Sequence, residues 1–167
     1  MTPPEPWLRG PVPGVPPTLQ PAAHALLQAR EDVRTAVGSL SDDTLWVSPG
    51  GGAASAGWHA LHAGGALDRL LTYARGAALD DRQRAELAAE QAPEHADGAT
   101  LLAGFEARIE AALAQLRATP EPTLAEPREV GRARLPSTVL GLLFHAAEHT
   151  QRHVGALVTT ARVVRGS

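Results

Sequence analysis

The 167-residue chain has no cysteine. It also lacks lysine and asparagine, so all 15 basic side chains are arginine. Without cysteine there can be no disulfide, no thiolate nucleophile and no cysteine zinc site, and without lysine there is no Schiff base and no phosphate-loop lysine. Any metal must therefore be held by His, Asp or Glu. Aromatics are only 4% of the residues and β-branched runs are scarce, while the 44% hydrophobic content is mostly Ala, Leu and Val, which favours helices over sheets. A net charge of -3 gives no basic footprint for nucleic acid. No apolar run approaches the roughly 18 residues a membrane span requires. The beginning, MTPPEPWLRG, has no basic segment leading into an apolar stretch, so a secretory leader is not expected and cytoplasmic residence is. The length suits one domain with a sizeable core.

What is present divides into an arm and a helical body. Residues 1–21 hold eight of the 14 prolines, from Pro3 to Pro21, which remove backbone donors and forbid helix until the last of them. The expectation is an extended arm, either docked through Trp7 and Leu8, which are apolar enough to pack on the body or on a second subunit, or left as a disordered tail. Residues 22–167 form the body. Ala22, Leu26, Val33, Val37 and Leu40 recur at helical spacing, and Gly38, Ser41, Asp42 and Asp43 mark the end of that helix. The stretch Ser48 to Gly52 must be a loop, and it lacks the Lys-Ser/Thr ending of a phosphate-binding loop. Ser55 suits an N-cap for a second helix running to about Arg75, with Gly64 and Gly65 leaving room for a close helix contact or a ligand. Asp80 and Gln83 have capping-box spacing for a short extra helix reaching about Ala92, ahead of Pro93. Leu102, Phe105, Ile109, Ala112 and Leu116 predict a third long helix that Pro120 and Pro122 stop. A charged, proline-containing connection then leads to Pro136, Ser137 and Thr138, which open a last helix continuing past Leu157. Four long amphipathic segments joined by mostly short loops make an all-α four-helix bundle the natural architecture.

The chemically loud feature is histidine. Five of seven fall in two helical stretches, His59 and His62 on the second long helix and His145, His149 and His153 on the last. Residues four apart on a helix lie one turn above each other, so two such imidazoles can face one ion, and a third from another helix would complete a set with coordination positions left open. A single histidine in an Ala-Leu helix is more often a core or surface group satisfied by a carbonyl. Three on one stripe are harder to bury without partners. Spacing alone leaves open whether 145 with 149 or 149 with 153 is the pair.

The stretches ASAGWHALHAGGALDRLLTY (residues 54–73) and LLFHAAEHTQRHVGA (residues 142–156) resemble the DinB/YfiT-like superfamily of bacterial metalloproteins, and the likeness extends over about residues 20 to 160. It implies a four-helix bundle of up-down-down-up topology, often dimeric. It also implies one divalent ion, zinc or nickel first and manganese or iron second, on His62 from the W-H-x-x-H motif and on His149 and His153 from the last helix. His145 would be a neighbour one turn away. Ala156 stands where that family usually carries Gln after Gly155, a position not itself a ligand in the resemblance. Some members transfer low-molecular-weight thiols such as mycothiol or bacillithiol.

Two functional expectations follow. The first is a metal-dependent thiol S-transferase or hydrolase acting on a small molecule, with His145 and Glu148 as the groups that move protons. The second is a non-catalytic metal-binding or stress-response protein, acting as a homodimer or through a partner, with Glu148 as a fourth ligand. Beside these, Asp68 and Arg69 suit an inter-helix pair, Trp46, Trp58 and Tyr73 suit packing, and His24 and His95 suit the surface.

Overall fold

A computed structural model describes residues 3–166 and shows a mostly helical, all-α chain with one small hairpin. The long helices are α1 (Gln20–Val37), α3 (Ala56–Ala74), α5 (Gly98–Ala118) and α6 (Val139–Arg165), with short α2 (Asp42–Leu45) and α4 (Asp81–Ala89) between them. All but α1 begin where a side chain satisfies free amide groups. Ser55 caps α3 by accepting from the Trp58 amide, Asp97 caps α5 through Thr100, and Thr138 caps α6 through Gly141. Asp80 and Gln83 form a reciprocal capping box on α4.

The apolar stripes of the four long helices meet in one core. Leu26 and Val33 of α1, Leu67 of α3, Ile109, Leu113 and Leu116 of α5, and Leu143, Val154 and Leu157 of α6 are all essentially inaccessible to solvent. Around this core α3 lies against α6 and α5, while α1 lies against α6 and α5. Ion pairs Arg30–Glu110 and Arg34–Glu106 staple the outer edge of α1 to α5. No helix is long and apolar enough to cross a membrane among the described residues.

Four details differ from the sequence reading. Ser41 does not merely follow α1 but caps the one-turn α2, which inserts Leu45 into the core. α4 stops at Ala89, earlier than Ala92, because the chain turns Glu90 inward. The connection before α6 is an antiparallel hairpin, β1 (Pro127–Val130) with β2 (Leu135–Thr138), and Pro136 lies within β2 rather than opening the helix. A two-stranded ribbon has only edge strands, so Pro127 and Pro136 need not complete a central ladder. The proline-rich arm is fastened to α1 at several points. The Gln20 side chain bonds the backbone of Val12 and Val15, Arg9 pairs with Glu31, and Val12 and Val15 are buried, whereas Trp7 and Leu8 stay exposed.

Candidate metal centre

The middle of α3 faces the middle of α6, and there the histidines converge. His62 of α3 and His149 and His153 of α6 each present a ring nitrogen within 4.8 Å of the others. The Nε2 atoms of His62 and His149 stand 3.2 Å apart. Two nitrogens each about 2.0–2.1 Å from one ion at tetrahedral or octahedral angles stand roughly 2.9–3.4 Å apart, so this spacing suits a shared cation. The ring centroids of His153 lie 4.4 Å from His62 and 4.6 Å from His149. The i,i+4 pair that joins His62 is thus 149 with 153. The ring of His145 lies 5.4 Å from that of His149, half exposed at the rim.

The second nitrogen of two of these rings already has a partner. His62 Nδ1 faces Glu90 Oε2 at 2.7 Å, and His153 Nδ1 faces His59 Nδ1 at 3.1 Å. In both rings this leaves Nε2 as the nitrogen for an ion. The Trp58 indole stacks flat on the His62 ring, with centroids 4.7 Å apart and planes 5° from parallel, and its Nε1 donates to the Glu90 carbonyl at 3.0 Å. Glu90 is itself buried beside an equally buried Arg69, which donates to Oε1 at 2.7 Å. Gly65 makes space for that pair: a Cβ there would sit 2.7 Å from Glu90 Oε1 and 2.8 Å from Arg69 Nη1.

Electrostatics keep the cluster ready for a cation. Burial, then the repulsion of His62 and the neighbouring rings, pushes His153 down to about 4, and burial followed by the same repulsion lowers His149. Burial lowers His59 as well, with His62 adding to it. Lowered imidazoles are neutral at pH 7, the form that ligates. Burial alone would raise the Glu90 carboxyl, but the hydrogen bonds from His62 and Arg69 outweigh it and hold Glu90 below the ordinary carboxylate range.

The structure places the other candidates as follows. Glu148 turns to the rim, where it accepts from Arg152 and faces His145 Nδ1 at 3.1 Å. Asp68 and Arg69 do not pair with each other. Asp68 takes Arg82 and Gln83, and Arg69 takes Glu90. Trp46 is half-buried, donates to the Ala96 carbonyl and carries the exposed ring of His95 stacked on it. His24 contacts the Gly10 carbonyl, and Tyr73 packs against the core. Sequence reasoning missed the parts played by Glu90, Trp58 and His59. Glu90 lies 28 residues from His62 in a polar segment and carries no spacing signal, whereas His59, one turn before His62, could have been read from position.

Among solved structures, a conserved protein from Enterococcus faecalis superposes with a TM-score of 0.71 over 89% of this chain and 98% of its own, at 18% identity, a likeness of fold alone. No curated protein matches the sequence. The model of the DinB superfamily matches residues 25–157, which takes in α3 and α5 whole, most of α1 and α6 and every member of the histidine cluster, and the chain belongs to that superfamily.

Proposed function

We propose that this protein binds one divalent metal ion on His62, His149 and His153 and uses it on a small molecule, as a metal-dependent thiol S-transferase or hydrolase. The observation that carries the reading is the convergence of three ring nitrogens within 4.8 Å from two different helices, a group in which no carboxylate takes part. An all-imidazole set favours zinc or nickel over oxygen-loving cations. When bound, such an ion would supply Lewis acidity and lower the pKa of a thiol or water.

The chain's own residues supply the rest. The lowered imidazoles of His149 and His153 ligate without first losing protons. His145, half exposed and backed by Glu148 at 3.1 Å, is positioned at the rim to accept a proton from an entering thiol or water and return it to a leaving group. The competing reading of a closed, non-catalytic site needs a fourth protein ligand, and Glu148 is committed to Arg152 and His145 instead.

The same family reading extends to topology. Arg30 meets Glu110 and Arg34 meets Glu106, so α1 and α5 oppose each other. His62 meets His149 and His59 meets His153, so α3 and α6 do too. Gly64 near Arg108 and Leu71 near Gln115 set α3 parallel to α5. These pairs support an up-down-down-up four-helix bundle.

Elemental analysis of protein purified without a histidine tag tests the site first, with about one equivalent of metal expected in the wild type and none in His62→Ala. Metal-loaded protein is then incubated with low-molecular-weight thiols and a panel of electrophiles. Turnover no greater than that of His62→Ala would sink the catalytic half of the reading.

A further inference from the structure

Helix α4 has no apolar face to hold it to the body. Its only buried residue is Gln83, and Leu87 stands exposed. Polar contacts fasten it instead. Gln83 bonds Thr72 and Asp68, Arg82 bonds Asp68, and Glu86 takes Arg108 of α5. The last of these fastenings is Glu90, itself buried just beyond the helix, and it reaches the metal centre twice. Its carboxylate meets His62 Nδ1, and its carbonyl accepts from Trp58, the indole that covers the face of the same imidazole.

Building on the metal site proposed above, we infer that Glu90 is the positioning residue of that centre, and that through it ion binding and docking of the α4 segment are a single coupled equilibrium. The carboxylate has only acceptors to offer, so it selects the His62 tautomer that carries its proton on Nδ1 and leaves the Nε2 lone pair for the ion. Arg69 occupies Oε1, fixing the carboxylate so that Oε2 points at the ring. An ion on Nε2 locks the same tautomer and keeps the donor aimed at Glu90. By reciprocity, whatever holds Glu90 in place favours the ion and the ion favours the docked segment.

Glu90→Gln separates this role from bulk packing. A Gln amide has one acceptor oxygen for two donors, Arg69 and His62. If the oxygen serves Arg69, the amide hydrogens face His62 and drive its proton onto Nε2, where it blocks the ion. If the oxygen serves His62, Arg69 loses its partner. Glu90→Asp is the companion variant, since it keeps the charge beside Arg69 but is one methylene short of reaching both groups.

Zinc affinity would be measured by competition with a chromophoric chelator. Cobalt substitution would report ligand geometry by its visible spectrum, and amide hydrogen exchange over residues 81–97 would be followed with and without zinc. In the wild type, zinc slows exchange across that segment. Both variants bind zinc about 10–100-fold more weakly and show an altered cobalt spectrum, with helical circular dichroism retained. Zinc weakens its hold on the segment in both, so the exchange response shrinks. Variant affinities within twofold of wild type, or a wild type that binds zinc with no change in exchange over 81–97, would overturn the inference while leaving the three-histidine site intact. A wild type that binds no zinc would overturn the site and the inference together.

Discussion

Replacing Gly65 by alanine pits helix propensity against the buried contacts of the site. In a helix interior the change alone stabilises by about 0.8–1 kcal/mol. At Gly65 the new methyl would lie 2.7 Å from Glu90 Oε1 and 2.8 Å from Arg69 Nη1, so one or both must retreat by roughly half an ångström or more to restore ordinary contact. Those atoms form an ion pair whose side chains are only 9% and 6% exposed. Losing one partner of a buried pair costs about 3–5 kcal/mol, and a shift that stretches the pair forfeits part of that. The net expectation is destabilisation by about 1–3 kcal/mol, or a melting temperature roughly 3–10 °C lower. Gly104 supplies the control. It lies inside α5, and a Cβ there would meet nothing within 4 Å, so Gly104→Ala should gain about 0.5–1 kcal/mol. Urea denaturation of both variants in the metal-free state measures the pair of values. A Gly65→Ala protein as stable as Gly104→Ala would refute the reasoning, because it would mean that the Arg69–Glu90 pair has no fixed place against α3.

Three further outcomes follow from the geometry. Chelating the metal from protein kept in free metal at about a hundred times the dissociation constant should remove about 2.7 kcal/mol and lower the melting temperature by roughly 5–10 °C, whereas His153→Ala should melt alike with and without chelator. For the metal-free protein, His149 and His153 have pKa values below their ordinary 6.5, so the unfolded chain binds more protons in acid. Their contribution is therefore complete above pH 6.5 and is lost on acidification, that of His153 as the pH falls toward about 4, and the Glu90 contribution is lost below about 4.5; a denaturation series showing stability rising on acidification through this window would contradict that sign. In the core, Leu157→Ala removes a fully buried side chain from α6 and should cost about 2–5 kcal/mol by the same denaturation assay.

Local pattern alone determined much of this protein. Spacing of Leu, Ile, Val and Ala placed the four long helices, Ser55 and the Asp80–Gln83 box marked where two helices begin, and i,i+4 histidines on one stripe with a third on another helix marked a candidate site. These features are legible because helix period and capping act over a few residues. The tertiary structure decided what distant segments must meet to show. It chose 149 with 153 over 145 with 149, brought Glu90 from the polar segment just beyond α4 onto His62, turned a charged connection into a hairpin, and buried Val12 and Val15 of the arm. The reason is physical: a buried carboxylate or a tautomer-fixing contact is defined by its partner across space, and a chain read one residue after another carries no sign of that partner until the helices pack.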